Sequence, residues 1–298
     1  MDIEDFVTTS DVSELVQRLS RTGFQASHLA DAVSVMREIK KDEDQTVFLA
    51  FTANLVASGL RGVISEVIRQ GWIDAVVTSG GSIDHDLIKS SHAYSLGGFD
   101  ADDHQLHAKD TNRIGNVYVK NDRYVWLEQI VQPVFKECLK EKKIWNTQEL
   151  IAKLSEIPSD QHSFLKACRE RNVPVFSPAL VDSALGLQLH FFKQDHPDFV
   201  LDALGDMKKL SNLVLSAKKT SAIVLGGGSS KHFTIGSNLL RGGLDAAVYF
   251  TTAQEYDGSL SGAPPREAVS WGKLKEKAKA VAVVGDATIT FPLAVAGL

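Results

Sequence analysis

Cysteine is almost missing from this chain: Cys138 and Cys168 are the only two among 298 residues. Two are too few for a disulfide scaffold, and they show no metal-ligand spacing. Positive charge is also short, with 32 Lys and Arg against 37 Asp and Glu, a net of −5. A nucleic-acid binder normally carries a basic face, so no nucleic-acid partner is expected. No uncharged apolar run approaches the ~20 residues that span a bilayer, so no membrane partner is expected either. The opening stretch, MDIEDFVTTS, is acidic and lacks the basic and apolar regions of a secretory leader. Proline/serine linkers, internal repeats and low-complexity tracts are likewise absent. What remains is a cytoplasmic globular protein. With 44% hydrophobic and 23% charged residues, the composition is that of a folded chain rather than a disordered one.

The hydrophobic pattern alternates between strand and helix. Two helices are predicted within residues 1–45. Asp11 and Glu14 have capping-box spacing, Val12, Leu15, Val16 and Leu19 form one stripe, and Leu29, Ala32, Val33 and Met36 form a second. QTVFLAF (45–51) then reads as a strand, Leu60, Val63, Ile64, Val67 and Ile68 as a helical face, and IDAVVT (73–78) as a second strand. Strand, helix and strand in that order form a βαβ unit, which pairs its strands in parallel. Residues 84–160 are less regular, with a polar loop rich in Asp and His, a strand at 113–119 and a helix from Tyr124 to about Lys142. The rhythm resumes with a strand at 173–176, a helix at 198–215, a strand at 221–225 ending in Gly226, Gly227 and Gly228, a helix from Ser230 to Leu240, and strands at 245–250 and 280–284. Unbroken apolar strands belong to parallel sheets covered on both faces. The expected fold is a single α/β domain over 1–298, doubly wound and mostly parallel, with helical additions at the N-terminus and in the middle.

Small and polar residues follow four of the predicted strands: Thr52 to Gly59, Thr78 to Gly81, Gly226 to Gly228, and Asp286 to Ala287. Ligands of open α/β sheets bind at the carboxyl ends of strands, where backbone N–H groups and helix N-termini face phosphates. Taken singly, each glycine is explained by a tight turn. Four such segments in register point to a nucleotide. Two nucleotide signatures fail, however. Lys231 stands where the last glycine of G-x-G-x-x-G belongs, and Gly272-Lys273 is followed by Leu274, which excludes a P-loop. Asp84, His85, Asp86, His104 and His107 lack convincing ligand spacing, so no metal is expected. GSLSG (258–262) has Leu260 where a serine nucleophile would stand.

The densest chemistry lies between Tyr249 and Lys273, with Glu255, Asp257, Glu267 and Trp271 between them. Carboxylates beside an indole make a box for an organic cation. A lysine desolvated against that indole would be a neutral amine able to form an imine.

The segment TTAQEYDGSLSGAPPREAVSWGKL (251–274) resembles the signature of the deoxyhypusine synthase family. VLGGGSSKH (224–232), FSPALVDSALG (176–186), NRIGN (112–116), ANLVASGLR (53–61) and VVTSGG (76–81) extend the resemblance from about residue 50 to the C-terminus. The family's longer eukaryotic N-terminal extension is missing, and the chain looks like a compact, archaeal-type member. The resemblance implies a Rossmann-like NAD-binding domain and a homotetramer with active sites at dimer interfaces. It also implies NAD-dependent transfer of the 4-aminobutyl group of spermidine, through an imine on an enzyme lysine, to one lysine of the translation initiation factor 5A precursor.

Carried over residue by residue, Lys273 is the imine-forming lysine and His232 the polyamine-contacting base. Glu267, Trp271 and Tyr249 match the amine box. Asn54, Thr78, Ser79, Gly80, Asp182, Thr252, Ala253, Asp257, Ser261, Asp286 and Ala287 match NAD-contacting positions. After Gly81 the chain is one residue longer than the family's glutamate-bearing pattern, so that either Asp84 or His85 would meet the adenosine ribose. Three amine-box positions depart from the family. Leu187 and Leu260 replace acidic residues, and Gly236 replaces an asparagine. Burying an ammonium against two leucines without a counter-charge costs several kcal/mol, about what an unpaired buried ion costs. Either spermidine sits differently, using Glu255 or Glu267, or a partner subunit supplies the carboxylate, or the donor is another amine, such as agmatine. Homospermidine synthase, with putrescine as acceptor, shares the chemistry and is the runner-up; a non-catalytic NAD-binding homologue is a third reading.

Overall fold

The structure, a computed structural model, describes residues 2–298. It divides into two compact units. One comprises the chain up to Phe51, residues 70–77 and residues 208–298; the other comprises residues 52–69 and 78–207.

The first unit is built on a parallel sheet. Its strands run in the spatial order Leu274–Val284, Leu244–Thr251, Lys219–Leu225, Gln45–Phe51 and Ala75–Thr78. Val47 to Phe51 and Ala222 to Leu225 are almost wholly buried, as unbroken apolar runs require. The register pairs Phe51 with Leu225, Phe250 with Leu225, and Thr251 with Val284. The carboxyl ends of four strands therefore meet at one edge, where the chain turns through glycine and polar loops. The Gln25–Lys41 helix packs Leu29, Ala32, Val33 and Met36 inward, and the Val12–Leu19 helix begins at Asp11, whose carboxylate accepts the Glu14 N–H at 2.9 Å. The α/β class, the mostly parallel sheet and the helical additions agree with the rhythm of the sequence. The last strand is longer than 280–284 because it reaches back through the charged segment LKEKAK. A strand at the end of the order, open on one side, tolerates lysines that a central strand would not.

The second unit is mostly helical. Its helices include Ala53–Ala57, Arg61–Arg69, Gly80–Lys89, Asp122–Glu141, Phe164–Arg171 and Ala184–Asp195. Three sequence expectations are corrected at local level. Residues 113–119 form an antiparallel hairpin, Thr111–Ile114 against Val117–Lys120, since Gly115 at φ +59° turns the chain back. Residues 198–215 split into a strand, Val200–Asp202, and a helix, Asp206–Ser216, because the Asp202 carboxylate accepts the Leu204 and Gly205 N–H groups at 3.0 Å and makes a turn. Asp84, His85 and Asp86 lie not in a polar loop but inside the Gly80–Lys89 helix, all buried. Among the described residues no helix is long and apolar enough to cross a membrane.

Candidate active site

Two chain turns of the first unit, one at the carboxyl end of the strand Lys219–Leu225 and one at the amino end of Leu274–Val284, border a cavity of about 250 Å³. The first follows the strand Lys219–Leu225. Gly226 and Gly228 adopt left-handed φ angles of +86° and +62°, and the Gly228–Ser237 helix starts there. Gly227 is needed for another reason. A Cβ at that position would lie 2.4 Å from Ser261 Oγ, so only glycine admits the 251–263 loop this closely. The Gly228 N–H donates to Ser261 Oγ at 3.0 Å. The second turn ends the Pro265–Ser270 helix. Gly272, at φ +68°, reverses the chain into the strand Leu274–Val284. Between them Lys273 is held at both backbone groups: its N–H donates to Ala268 O at 2.9 Å and its carbonyl accepts from Leu244 N at 3.1 Å.

The cavity brings together Lys273, His232, Glu267, Trp271, Tyr249 and Leu260 from the sequence-predicted set. Lys273 Nζ lies 3.4 Å from His232 Nε2, within proton-exchange reach, and 5.2 Å from the centre of the Trp271 ring. Trp271 is 66% exposed, so the indole covers the amine on one side and does not bury it. Tyr249 is buried and its hydroxyl has no hydrogen-bond partner, a polar group left for something that enters the cavity. Burial pushes its phenol well above the ordinary range. Gly236 lies one turn along the helix from His232, and a Cβ there would be 4.0 Å from His232 Cε1. The walls are otherwise apolar: Ile235, Leu260, Ala263, Pro264 and Ala268. Glu267 is the single carboxylate among the lining residues.

Sequence reasoning missed one charged lining residue, Lys231. Its side chain is 1% exposed, and its ammonium donates to Leu260 O at 2.8 Å and to Ala263 O at 2.7 Å over the face of Tyr249. Lysines are almost never this buried, so propensity gives no warning. The only signal was its place in the failed glycine fingerprint.

Thr252, Ala253, Asp257 and Ser261 lie on the loop beyond the strand Leu244–Thr251, where Asp257 Oδ1 accepts the Ser259 N–H at 2.7 Å. Asp286 caps the Ala287–Ala296 helix through the Thr288 N–H at 2.9 Å. In the second unit, Ser79 is the N-cap residue of the Gly80–Lys89 helix without a side-chain cap bond, and Thr78 Oγ1 donates to Ser82 Oγ at 2.6 Å. Asn54 lies in the first turn of the Ala53–Ala57 helix. Gly80 is tightly packed, since a Cβ there would meet Ser183 Oγ at 2.5 Å. Asp84 is turned inward. Its two oxygens accept the Ala184 and Leu185 N–H groups at 2.9 Å, and burial raises its pKa to about 7. His85 bonds the Tyr94 hydroxyl at 2.9 Å, with burial lowering its pKa to about 4. Asp182 and Leu187 line a different cavity, of about 670 Å³, along the Ala184–Asp195 helix.

Residues 14–298 match the sequence model of the deoxyhypusine synthase family. The chain belongs to the deoxyhypusine synthase family. It is therefore a transferase by descent. A "Probable deoxyhypusine synthase" from Halobacterium salinarum is 41% identical over 297 residues, covering 98% of this chain and 90% of that one. Another from Ignicoccus hospitalis is 44% identical over 294 residues, covering 96% and 91%. A crystal structure from Entamoeba histolytica assigned to the deoxyhypusine synthases superposes with a TM-score of 0.72 at 21% identity, covering 100% of this chain and 96% of the other, a likeness of fold.

Proposed function

We propose that this chain moves a 4-aminobutyl group, with NAD as cofactor, from spermidine or a related amine to a specific lysine of the translation initiation factor 5A precursor. The observation that carries the reading is the pairing of Lys273 Nζ with His232 Nε2 at 3.4 Å inside a cavity holding Glu267 and Trp271. Lys273 supplies the nucleophilic amine and holds the aminobutyl group as an imine after the diamine leaves. His232 takes the proton from the reacting amine and returns it to the departing one. Glu267 pairs with a cationic end of the substrate, Trp271 offers its ring face to that charge, and the unpartnered Tyr249 hydroxyl supplies a hydrogen bond.

The residues present suit a dinucleotide. The Gly228–Ser237 helix has a glycine as its N-cap, with no side-chain cap bond, and a Cβ at Gly228 would meet nothing within 4 Å, so open space faces its first turn. NAD, when bound, supplies the hydride acceptor, and its reduced form the hydride donor. Thr252, Ala253, Asp257, Ser261, Asp286 and Ala287 would hold it from the first unit. Asp84 or His85 would meet the adenosine ribose; Asp84 accepts one backbone N–H on each oxygen, which leaves each with a further lone pair. In this reading the working form is a cytoplasmic homotetramer with active sites at dimer interfaces.

A second reading concerns the donor. With one carboxylate and five apolar side chains in its lining, the cavity is a poor host for several ammonium groups but suits a single planar guanidinium, as in agmatine. Incubation with NAD and spermidine, agmatine, putrescine or homospermidine, each with the protein precursor or putrescine as acceptor, separates the cases by mass spectrometry. Deoxyhypusine on the precursor supports the proposal, homospermidine alone supports the polyamine reading, and no product from any pair refutes transfer.

A further inference from the structure

Lys231 occupies the place where the glycine of a dinucleotide fingerprint would stand, and the reaction proposed above gives it no part. Its position is unusual for a lysine. The side chain leaves the Gly228–Ser237 helix one residue before His232, is fully buried, and ends under the 251–263 loop. There the ammonium donates to Leu260 O at 2.8 Å and to Ala263 O at 2.7 Å, with the Tyr249 ring centre 4.5 Å away. Leu260 and Ala263 both line the cavity. Among the described residues one other hydrogen bond ties this loop to the same helix, Gly228 N–H to Ser261 Oγ at 3.0 Å. Both attachments start within one turn of His232, so loop and base are fixed to one rigid element.

We propose that Lys231 is a positioning residue, whose buried ammonium fastens the Leu260–Ala263 segment onto the helix carrying His232 and so sets the width of the amine cavity. A charged donor is suited to the task. A buried ammonium forms stronger bonds to carbonyls than a neutral donor does, and two carbonyls plus an aromatic face replace most of its hydration. Lysine also combines the reach of a four-carbon stem with a compact donor, whereas a guanidinium would need more room in the cavity floor. Leu260, whose carbonyl is held, projects its side chain into the same cavity, so a loosened loop shifts a wall of the site. The inference rests on the aminobutyl-transfer reading for its kinetic consequence but not for the loop itself.

Two variants test it, Lys231→Met, which keeps the stem and removes the donors, and Lys231→Gln, which keeps a shorter neutral donor. In each, site-resolved chymotryptic cleavage after Tyr256 and Leu260 measures the loop, and steady-state kinetics measure the site. Lys231→Met should speed cleavage in the loop at least tenfold, with cleavage elsewhere unchanged. It should raise the amine KM by a similar factor while kcat falls less than threefold, and Lys231→Gln should fall between it and the wild type. Should Lys231→Met fail to fold, the same comparison of Lys231→Gln with wild type decides the matter. Unchanged loop cleavage and unchanged KM in a folded variant would overturn the proposal. A fall in kcat with KM unchanged would also overturn it, because a loop fastener acts on cavity shape. If no amine supports turnover by the wild type, the transfer reading fails, while the cleavage rates still judge the role of Lys231.

Discussion

Asp86 is wholly buried in the second unit and accepts four hydrogen bonds: from Arg61 Nε at 2.6 Å, Ser163 Oγ at 2.6 Å, Leu165 N at 3.1 Å and Phe164 N at 3.3 Å. It thereby ties the Gly80–Lys89 helix to the Arg61–Arg69 helix and to the start of Phe164–Arg171. Truncation to alanine strands these groups together. Breaking a buried ion pair from one side costs about 3–5 kcal/mol. Arg61 keeps a second carboxylate, Asp160, at 2.9 Å, which limits the loss at the guanidinium. The Ser163 hydroxyl and the Leu165 N–H keep no such substitute among their Asp86 bonds, and an unsatisfied buried donor costs about 1–3 kcal/mol. Asp86→Ala should therefore destabilise by about 4 kcal/mol, from the buried-pair range with one carboxylate retained. Asp86→Asn keeps the shape and an acceptor for Arg61 but puts an amide against a backbone N–H, at a cost of about 2 kcal/mol for the mismatched donor. Urea unfolding reads both values, and hydrogen exchange should show faster opening of the Gly80–Lys89 helix in each variant. A cost under about 1 kcal/mol for Asp86→Ala, the size of a single exposed ion pair, would refute this account of the unit's core.

Three further outcomes follow from the first unit. Gly227→Ala places a methyl 2.4 Å from Ser261 Oγ, so it should displace the 251–263 loop and raise the NAD dissociation constant at least tenfold by calorimetry, whereas Gly23→Ala, with nothing within 4 Å and no left-handed φ, should leave it unchanged. Burial lowers the Lys231 pKa from 10.5 to about 8, partly offset by the facing Glu267 carboxylate. Between those values the folded chain releases a proton that the unfolded chain keeps, so wild-type stability should rise with pH relative to Lys231→Met, by at most ~3 kcal/mol at the top of the window, in denaturation series at each pH. Leu260→Asp adds a second carboxylate to the cavity lining. If wild type prefers a guanidinium amine, the variant should shift preference toward spermidine by about tenfold, the worth of roughly one added charge-assisted pair; no shift in parallel NAD-reduction assays would reject the altered donor.

Much of the first unit was legible because its strands are uninterrupted apolar runs. Val47 to Phe51 and Ala222 to Leu225 have no other use than a sheet covered on both faces. The cluster of Glu267, Trp271 and Lys273 was legible for a similar reason: all three fall within one helix and the turn that follows it, so proximity in sequence becomes proximity in space. Asp84 and Asp86 misled because hydropathy assigns carboxylates to solvent, while their partners, the Ala184 and Leu185 N–H groups and the Ser163 hydroxyl, lie far along the chain. Lys231 was illegible on the same ground, its carbonyl partners being supplied by a loop about thirty residues away, beyond the reach of any local periodicity.

Borohydride trapping decides whether Lys273 carries the aminobutyl group. The protein is incubated with NAD and the preferred amine, reduced, digested and mapped by mass spectrometry. An aminobutyl adduct is expected on the Lys273 peptide, vanishing in Lys273→Ala while NAD affinity stays within about threefold, because the amine contacts the substrate rather than the dinucleotide. Lys273→Arg should also give none, since a guanidinium stays protonated and cannot attack. An undiminished adduct in Lys273→Ala, or one mapped to Lys231 in the wild type, would contradict that role for Lys273.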